Sequence, residues 1–226
     1  MLNFKIKSII SRLVVLILCG VLCINIYANN NIVNNDYCIS SNYIDYGKST
    51  FTYKERKSIE PFELYSNLDS LGRCGVAFAN ICKEVMPTTE RESIGMMKPS
   101  GWQTPLSKYD FIDGKFLYNR CHLIAFELAG ENANEKNLIT GTRYMNIYGM
   151  RPFESKVATY VKTTGNHCLY RVTPIFEKDD LLCKGVQIEA YSVEDKGKEI
   201  DFKVFCPNIQ PGVDIDYRTG KNKKKE

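Results

Sequence analysis

Tyr118-Asn-Arg-Cys-His-Leu-Ile-Ala-Phe126, then Asn137-Leu-Ile-Thr140, then Pro152-Phe-Glu-Ser-Lys-Val-Ala-Thr-Tyr-Val-Lys-Thr-Thr164 form the stretch that decides the fold. Lys115 to Phe126 is apolar and aromatic in the manner of a strand. Glu131 to Lys136 is polar, and Asn137 to Thr140 reads as a second short strand. From Pro152 the period changes. Phe153, Val157, Tyr160 and Val161 fall at i, i+4, i+7 and i+8, one face of a helix. Pro152 suits its first turn, where a missing N–H has no partner to lose. Gly165 suits its end. Strand, loop, strand and helix thus follow one another.

Working outward, residues 168–176, 183–193 and 200–207 read as strands. Val186, Ile188 and Ala190 alternate with Gln187, Glu189 and Tyr191, as on a half-buried strand. Upstream, Arg73-Cys-Gly-Val-Ala-Phe-Ala-Asn-Ile-Cys82 reads as a buried strand. Met86 to Ser93 and Lys98 to Trp102 are turn-rich and read as a long surface loop. No repeat or low-complexity block interrupts the pattern. The expectation is one α+β domain with a mixed or antiparallel sheet.

The ends read differently from the body. Lys5, Lys7 and Arg12 precede an apolar run from Leu13 to Ile24, then small Ala28 and polar Asn29 to Asn31. That order is a secretory signal peptide over 1–28, and the apolar run is short for a spanning helix. Ile26 fits poorly three residues before the cut, so the alternative is an uncleaved anchor on the outer face of the cell membrane. Residues 29–60 lack periodicity and read as a leader, 61–217 as the folded domain, and 218–226 as a basic, solvated tail.

The whole chain of 226 residues has 30 Lys+Arg against 26 Asp+Glu. Between Asn29 and Tyr217 there are 22 positive and 25 negative residues, a net of −3, so the basic character belongs to the ends. Charge alone therefore gives no argument for nucleic acid. With 44% apolar and 25% charged residues, the composition excludes disordered and collagen-like classes. Seven cysteines follow the signal, an odd number with no CxxC pair, which argues against a zinc ribbon or thioredoxin-type site. Buried, apolar cysteines are the expectation. Only His122 and His167 can serve a histidine mechanism, and no three-histidine site is possible.

A hairpin followed by a helix can bring a strand-end histidine over helical metal ligands. Phosphodiester hydrolysis uses that arrangement. A histidine with one bare nitrogen takes a proton from water, and a hard cation held by oxygen ligands stabilises charge on phosphate. Asn146 and Glu154 are the oxygen donors in the region that follows.

Asn119-Arg-Cys-His122, with Gly130-Glu-Asn-Ala-Asn-Glu-Lys-Asn-Leu-Ile-Thr-Gly-Thr-Arg-Tyr-Met-Asn146, closely resembles the DNA/RNA non-specific endonucleases, among them secreted streptococcal-type DNases and competence DNA-entry nucleases. The resemblance runs from about Leu71 to Tyr217. It implies a ββα-metal (His-Me finger) active site in which His122 is the general base and Asn146 the single protein ligand of the metal. It further implies that Glu154 holds the metal's waters, that Arg120 lies near the phosphate, and that Asn119 stands where many members have Asp. Asn137 matches a residue lining the site. Arg143, one turn before Asn146, is a candidate phosphate contact on its position alone. Mg²⁺ is the implied cation, with Mn²⁺ as substitute. DNA and possibly RNA are the implied substrates, the products would carry 5′-phosphate ends, and no obligate protein partner is implied.

One position departs from the motif. Cys121 stands where the family usually has Gly, so either the backbone is ordinary here or a small side chain is tolerated. Two rival functions stay open. One is a thiol-dependent hydrolase pairing Cys121 with His167, since neighbours on a strand face opposite ways and Cys121 cannot meet His122. The other is an inactive module binding nucleic acid or another polyanion through its lysines.

Overall fold

The computed structural model describes residues 42–103 and 107–226. The expected signal segment and residues 29–41 of the leader, Cys38 among them, lie outside the described residues. An antiparallel sheet of six strands forms the frame: β1 (Ile44–Asp45), β2 (Phe62–Tyr65), β3 (Ala77–Ile81), β6 (Cys168–Ile175), β7 (Gly185–Ser192) and β8 (Asp201–Pro207). Their order across the sheet is β1-β8-β7-β6-β3-β2. The three strands expected after residue 168 are all present, as is the buried strand ending at Cys82. The α+β class holds.

Between β3 and β6 the chain leaves the sheet. The long loop runs to a second hairpin, β4 (Tyr118–His122) and β5 (Leu138–Thr142), with Cys121 opposite Ile139 and His122 opposite Leu138. A short helix α1 (Phe126–Ala129) lies within the hairpin connection. After β5 comes a π-helical segment, Met145–Met150, continuous with α2 (Arg151–Thr164), which ends in left-handed Gly165. The main core joins Leu123, Ile124, Leu128, Val157 and Val161 from this insert to Ile81, Tyr170, Ile188 and Cys206 from the sheet. Each of these nine side chains is fully buried.

Two boundaries differ from the sequence expectation. The leader is part of the fold from β1 onward. Phe51 packs with Leu169, Tyr191 and Val193 on the outer face of the sheet. Thr50 donates to Glu189 Oε1 through its backbone N–H (2.8 Å) and its hydroxyl (2.6 Å), and Arg171 grips Glu189 Oε2 at 2.8 Å. This cover is why β7 is buried on both faces and not on one. Alternation reports that two faces differ in polarity, and a crossing segment can bury a polar face when it supplies the partners.

The tail also departs from a free end. Asn222–Lys224 (β10) pairs with Val213–Ile215 (β9). Tyr118 Oη donates to the Gly220 carbonyl at 2.9 Å, and Tyr109 Oη to Asn222 Oδ1 at 2.7 Å. The lysines at 223–225 thus extend from a pinned hairpin.

Candidate active site

His122 ends β4 and is 7% exposed. Its Nε2 lies 2.8 Å from the Asn132 carbonyl oxygen, on the connection between the hairpin strands. A carbonyl oxygen only accepts, so Nε2 carries the hydrogen and Nδ1 keeps its lone pair. Arg91 Nη2 lies 3.5 Å from Nδ1 and, as a guanidinium only donates, points an N–H at that lone pair. Burial, followed by the positive charge of Arg91, holds the ring's pKa below its ordinary value, against a raising effect from the Asn132 carbonyl. The imidazole is neutral near neutral pH and presents one basic nitrogen.

The ring opens on a cleft of about 380 Å³ lined by Arg91, Arg120, His122, Glu127, Asn146, Arg151 and Glu154, with Ala125, Phe126 and Ile147 as its apolar part. Asn146 and Glu154 reach it together because of the π segment. Eight residues of pure α-helix are about 2.2 turns, which would leave the two side chains roughly 80° apart. The π segment, closed by the Arg151 N–H on the Asn146 carbonyl, takes up that excess.

Glu154 is 7% exposed, and no Lys or Arg among the described residues forms an ion pair with it. Burial, then repulsion from Glu127, pushes its carboxyl up to about 8, against the weaker pull of Arg151 and Arg91. An amide oxygen and two carboxylates line the cleft together, a hard oxygen donor set with arginines around it. That is the chemistry a small divalent cation fits.

A family model for DNA/RNA non-specific endonuclease matches residues 53–194. The chain belongs to this family. Among solved structures, NucA from Streptococcus agalactiae with magnesium bound is similar at 23% identity and TM-score 0.68, over 79% of this chain and 84% of that one. The Sda1 nuclease with bound zinc is similar at 26% identity and TM-score 0.70, over 82% of this chain and 97% of that one. A protein described as an extracellular endonuclease shares the fold at 16% identity and TM-score 0.58, over 80% of this chain and 96% of that one. The sheet of this endonuclease reaches beyond the matched residues at both ends, through β1 and β8.

Of the seven residues singled out in the sequence, His122, Arg120, Asn146 and Glu154 line the cleft. Arg120 does so with its guanidinium already engaged. It donates from Nε to the Met97 carbonyl and from Nη2 to the Gly95 carbonyl, each at 2.6 Å, and stacks 4.1 Å over the Trp102 ring. It therefore straps the long loop, of which Arg91 is part, beside the cleft.

The other three stand elsewhere. Asn137 is fully buried, and its amide bridges the Ile124 backbone, accepting from its N–H at 2.9 Å and donating to its carbonyl at 3.0 Å. It closes the hairpin connection and does not line the cleft. Arg143 pairs with Asp113 at 2.7 Å, donates its backbone N–H to Leu117, and does not line the cleft. Asn119 is half-buried on β4 opposite Gly141, also outside the cleft lining.

Arg91, Glu127 and Arg151 were missed. Arg91 sits in a loop without periodicity, thirty-one positions before His122, where no spacing rule reaches it. Arg151 could have been found, since it lies three residues before Glu154 on the same helix face.

The Cys121 question also closes. Its backbone is ordinary, with no positive φ, and its side chain points into the core beside Gly141 and Met145. Burial pushes the thiol well above its usual range. His167 is tied to Glu194, Nδ1 to Oε1 at 2.6 Å, and neither it nor Cys121 lines the cleft. A Cys121–His167 nucleophile has no geometry here. The described cysteines, from Cys74 to Cys206, are free and buried.

Proposed function

We propose that this chain is a secreted, divalent-metal-dependent endonuclease that hydrolyses the phosphodiester bonds of DNA, with RNA as a second substrate, without reading base sequence. The observation that carries the reading is the His122 ring, fixed by the Asn132 carbonyl so that Nδ1 keeps its lone pair, in a cleft shared with Asn146 and Glu154.

Each residue then has a task. His122 Nδ1 takes the proton of the attacking water. Asn146 would hold Mg²⁺, or Mn²⁺ in its place, through its amide oxygen, and the Glu154 carboxylate would hold waters of that ion. A divalent cation so held supplies stabilisation of charge on the phosphate and the leaving oxygen. Arg91, with Arg151, attracts the scissile phosphate, while Arg120 positions the loop that carries Arg91. Contacts of this kind address the backbone, which contains no base information, and that accounts for the lack of sequence preference. Cleavage leaves 5′-phosphate ends. Export rests on the basic, apolar, small and polar order of residues 1–31.

Cleavage of supercoiled plasmid by the purified protein tests the reading, with Mg²⁺, with EDTA, and with His122→Ala beside the wild type. Cutting that stops with EDTA and falls by at least a hundredfold in the variant supports it. Plasmid left intact by a folded wild type under Mg²⁺ and Mn²⁺, or equal cutting by His122→Ala, overturns it.

A further inference from the structure

A second constellation lies outside the cleft. Where β3 ends and β6 begins, the register that pairs Ile81 with Cys168 carries the chain on to Cys82 and His167 as facing neighbours. Cys82, Glu84 and His167 place their potential ligand atoms within 4.8 Å of one another, and none of the three lines the cleft. The His167 ring is not loose. Glu194 accepts from the His167 backbone N–H at 2.9 Å and meets Nδ1 at 2.6 Å, gripping the residue with both carboxylate oxygens. A carboxylate on one imidazole nitrogen fixes the ring's tautomer and orientation, the support that metal-bound histidines commonly receive.

We propose that Cys82, Glu84 and His167 form a second metal site, separate from the nuclease centre, that takes Zn²⁺. The ligand types decide the metal. A thiolate and an imidazole suit zinc and offer little to Mg²⁺ or Ca²⁺, whereas Asn146 and Glu154 offer oxygen alone. Geometry is close to sufficient. Zinc bonds of about 2.0–2.3 Å put ligands of a tetrahedron roughly 3.3–3.8 Å apart, so the cluster must contract by at most about 1.5 Å. Glu84 is exposed and can swing to close that gap, while Cys82 and His167 stand on sheet ends. Binding transfers the Cys82 thiol proton to solvent, and a solvent molecule completes the fourth position. The ion would clamp the end of β3 to the start of β6, just beyond the last turn of α2.

Cobalt titration of the metal-free full chain reads this site directly, because a Cys–Co²⁺ bond gives a near-ultraviolet charge-transfer band that an all-oxygen site lacks. The expected result is that band in the wild type at one equivalent per chain, displaced by Zn²⁺ and not by Mg²⁺. It should be lost in Cys82→Ser and kept in Cys121→Ser. Glu84→Gln, an exposed change that leaves the fold intact, should weaken cobalt binding at least tenfold while plasmid cleavage in Mg²⁺ is unchanged. No thiolate band in the wild type, or a band that survives Cys82→Ser, overturns the proposal. So does a Glu84→Gln variant that binds cobalt as tightly as wild type. Failure of the nuclease assay leaves each of these readouts standing.

Discussion

Gly141 on β5 lies so close under Cys121 on β4 that a methyl group added to Gly141 would overlap the sulfur. The two positions share one side chain's worth of space. Where the family motif places Gly and this chain has Cys121, room is made across the hairpin and the backbone stays regular. Gly141→Ala should therefore destabilise the protein by about 1–3 kcal/mol, the usual range for overpacking. Adding Cys121→Gly should recover part of that loss, though Met145 also crowds the site. Urea unfolding of the two single variants and the double variant measures the coupling. Additive effects would refute the shared-space reading.

The acid limb of activity should lie low. Because burial and Arg91 hold the His122 pKa below 6.5, the neutral, competent ring persists into mildly acidic solution. The kcat/KM profile should fall with a midpoint below 6.5. Arg91→Ala removes the nearby positive charge, so the same midpoint should move to higher pH while the overall rate drops. A midpoint that stays put would deny that Arg91 faces the base.

Glu154 predicts an opposite dependence for stability in the absence of divalent cations. Its folded-state pKa of about 8 exceeds its ordinary value of 4.5, so the folded form binds the extra proton between those values. Stability from this group is complete below pH 4.5 and is lost as pH rises through about 8. Thermal unfolding in EDTA should show that decline. Glu154→Gln should flatten it, and Mg²⁺ should raise the melting temperature most on the alkaline side.

Arg120 is predicted to act through the loop it straps. Arg120→Lys keeps the charge and loses the forked pair of hydrogen bonds and the stacking on Trp102. Amide exchange over Arg91 to Met97 should speed up markedly, and kcat/KM should fall by about tenfold or more. Unchanged exchange with lowered activity would instead mean that Arg120 itself binds phosphate.

Arg171→Ala tests the cover over the outer face of the sheet. It leaves the Glu189 carboxylate, 2% exposed, to Thr50 alone, and should cost about 3 kcal/mol or more. Burial pulls the Glu189 pKa up, but its bonds to Thr50 and Arg171 outweigh this and hold it below 4.5. Its contribution is present above pH 4.5 and lost as pH falls through the folded value. Urea midpoints of the variant at neutral and acid pH should converge.

The parts of the fold legible in the sequence were those with local periodicity. The helix from Pro152 to Gly165, the hairpin strands around Cys121 and Ile139, and the three strands after His167 all announce themselves within ten or so residues. Features made by distant segments did not. Glu189 and Tyr191 read as solvent-facing because nothing near them shows that Phe51 and Thr50 lie across them. The site divided the same way. His122, Asn146 and Glu154 belong to one contiguous motif, whereas Arg91 reaches the cleft only through a loop anchored by Arg120. Asn137 lies in the motif, yet its amide serves the backbone of Ile124, a role that only the folded connection reveals.

The Asn132 carbonyl has a consequence for how this catalyst can be switched off. It is a main-chain atom, so no side-chain substitution removes it, and it decides which His122 nitrogen keeps its lone pair. The Asn132 side chain donates in turn to the Glu92 carbonyl, next to Arg91. A change in the length of the segment between Gly130 and Asn137 would leave every proposed reacting side chain in place. It would also let the imidazole settle in its other tautomer, pointing a proton at the cleft where a lone pair is required. Inactivity in such a variant would be a fault of ring orientation in an otherwise complete site.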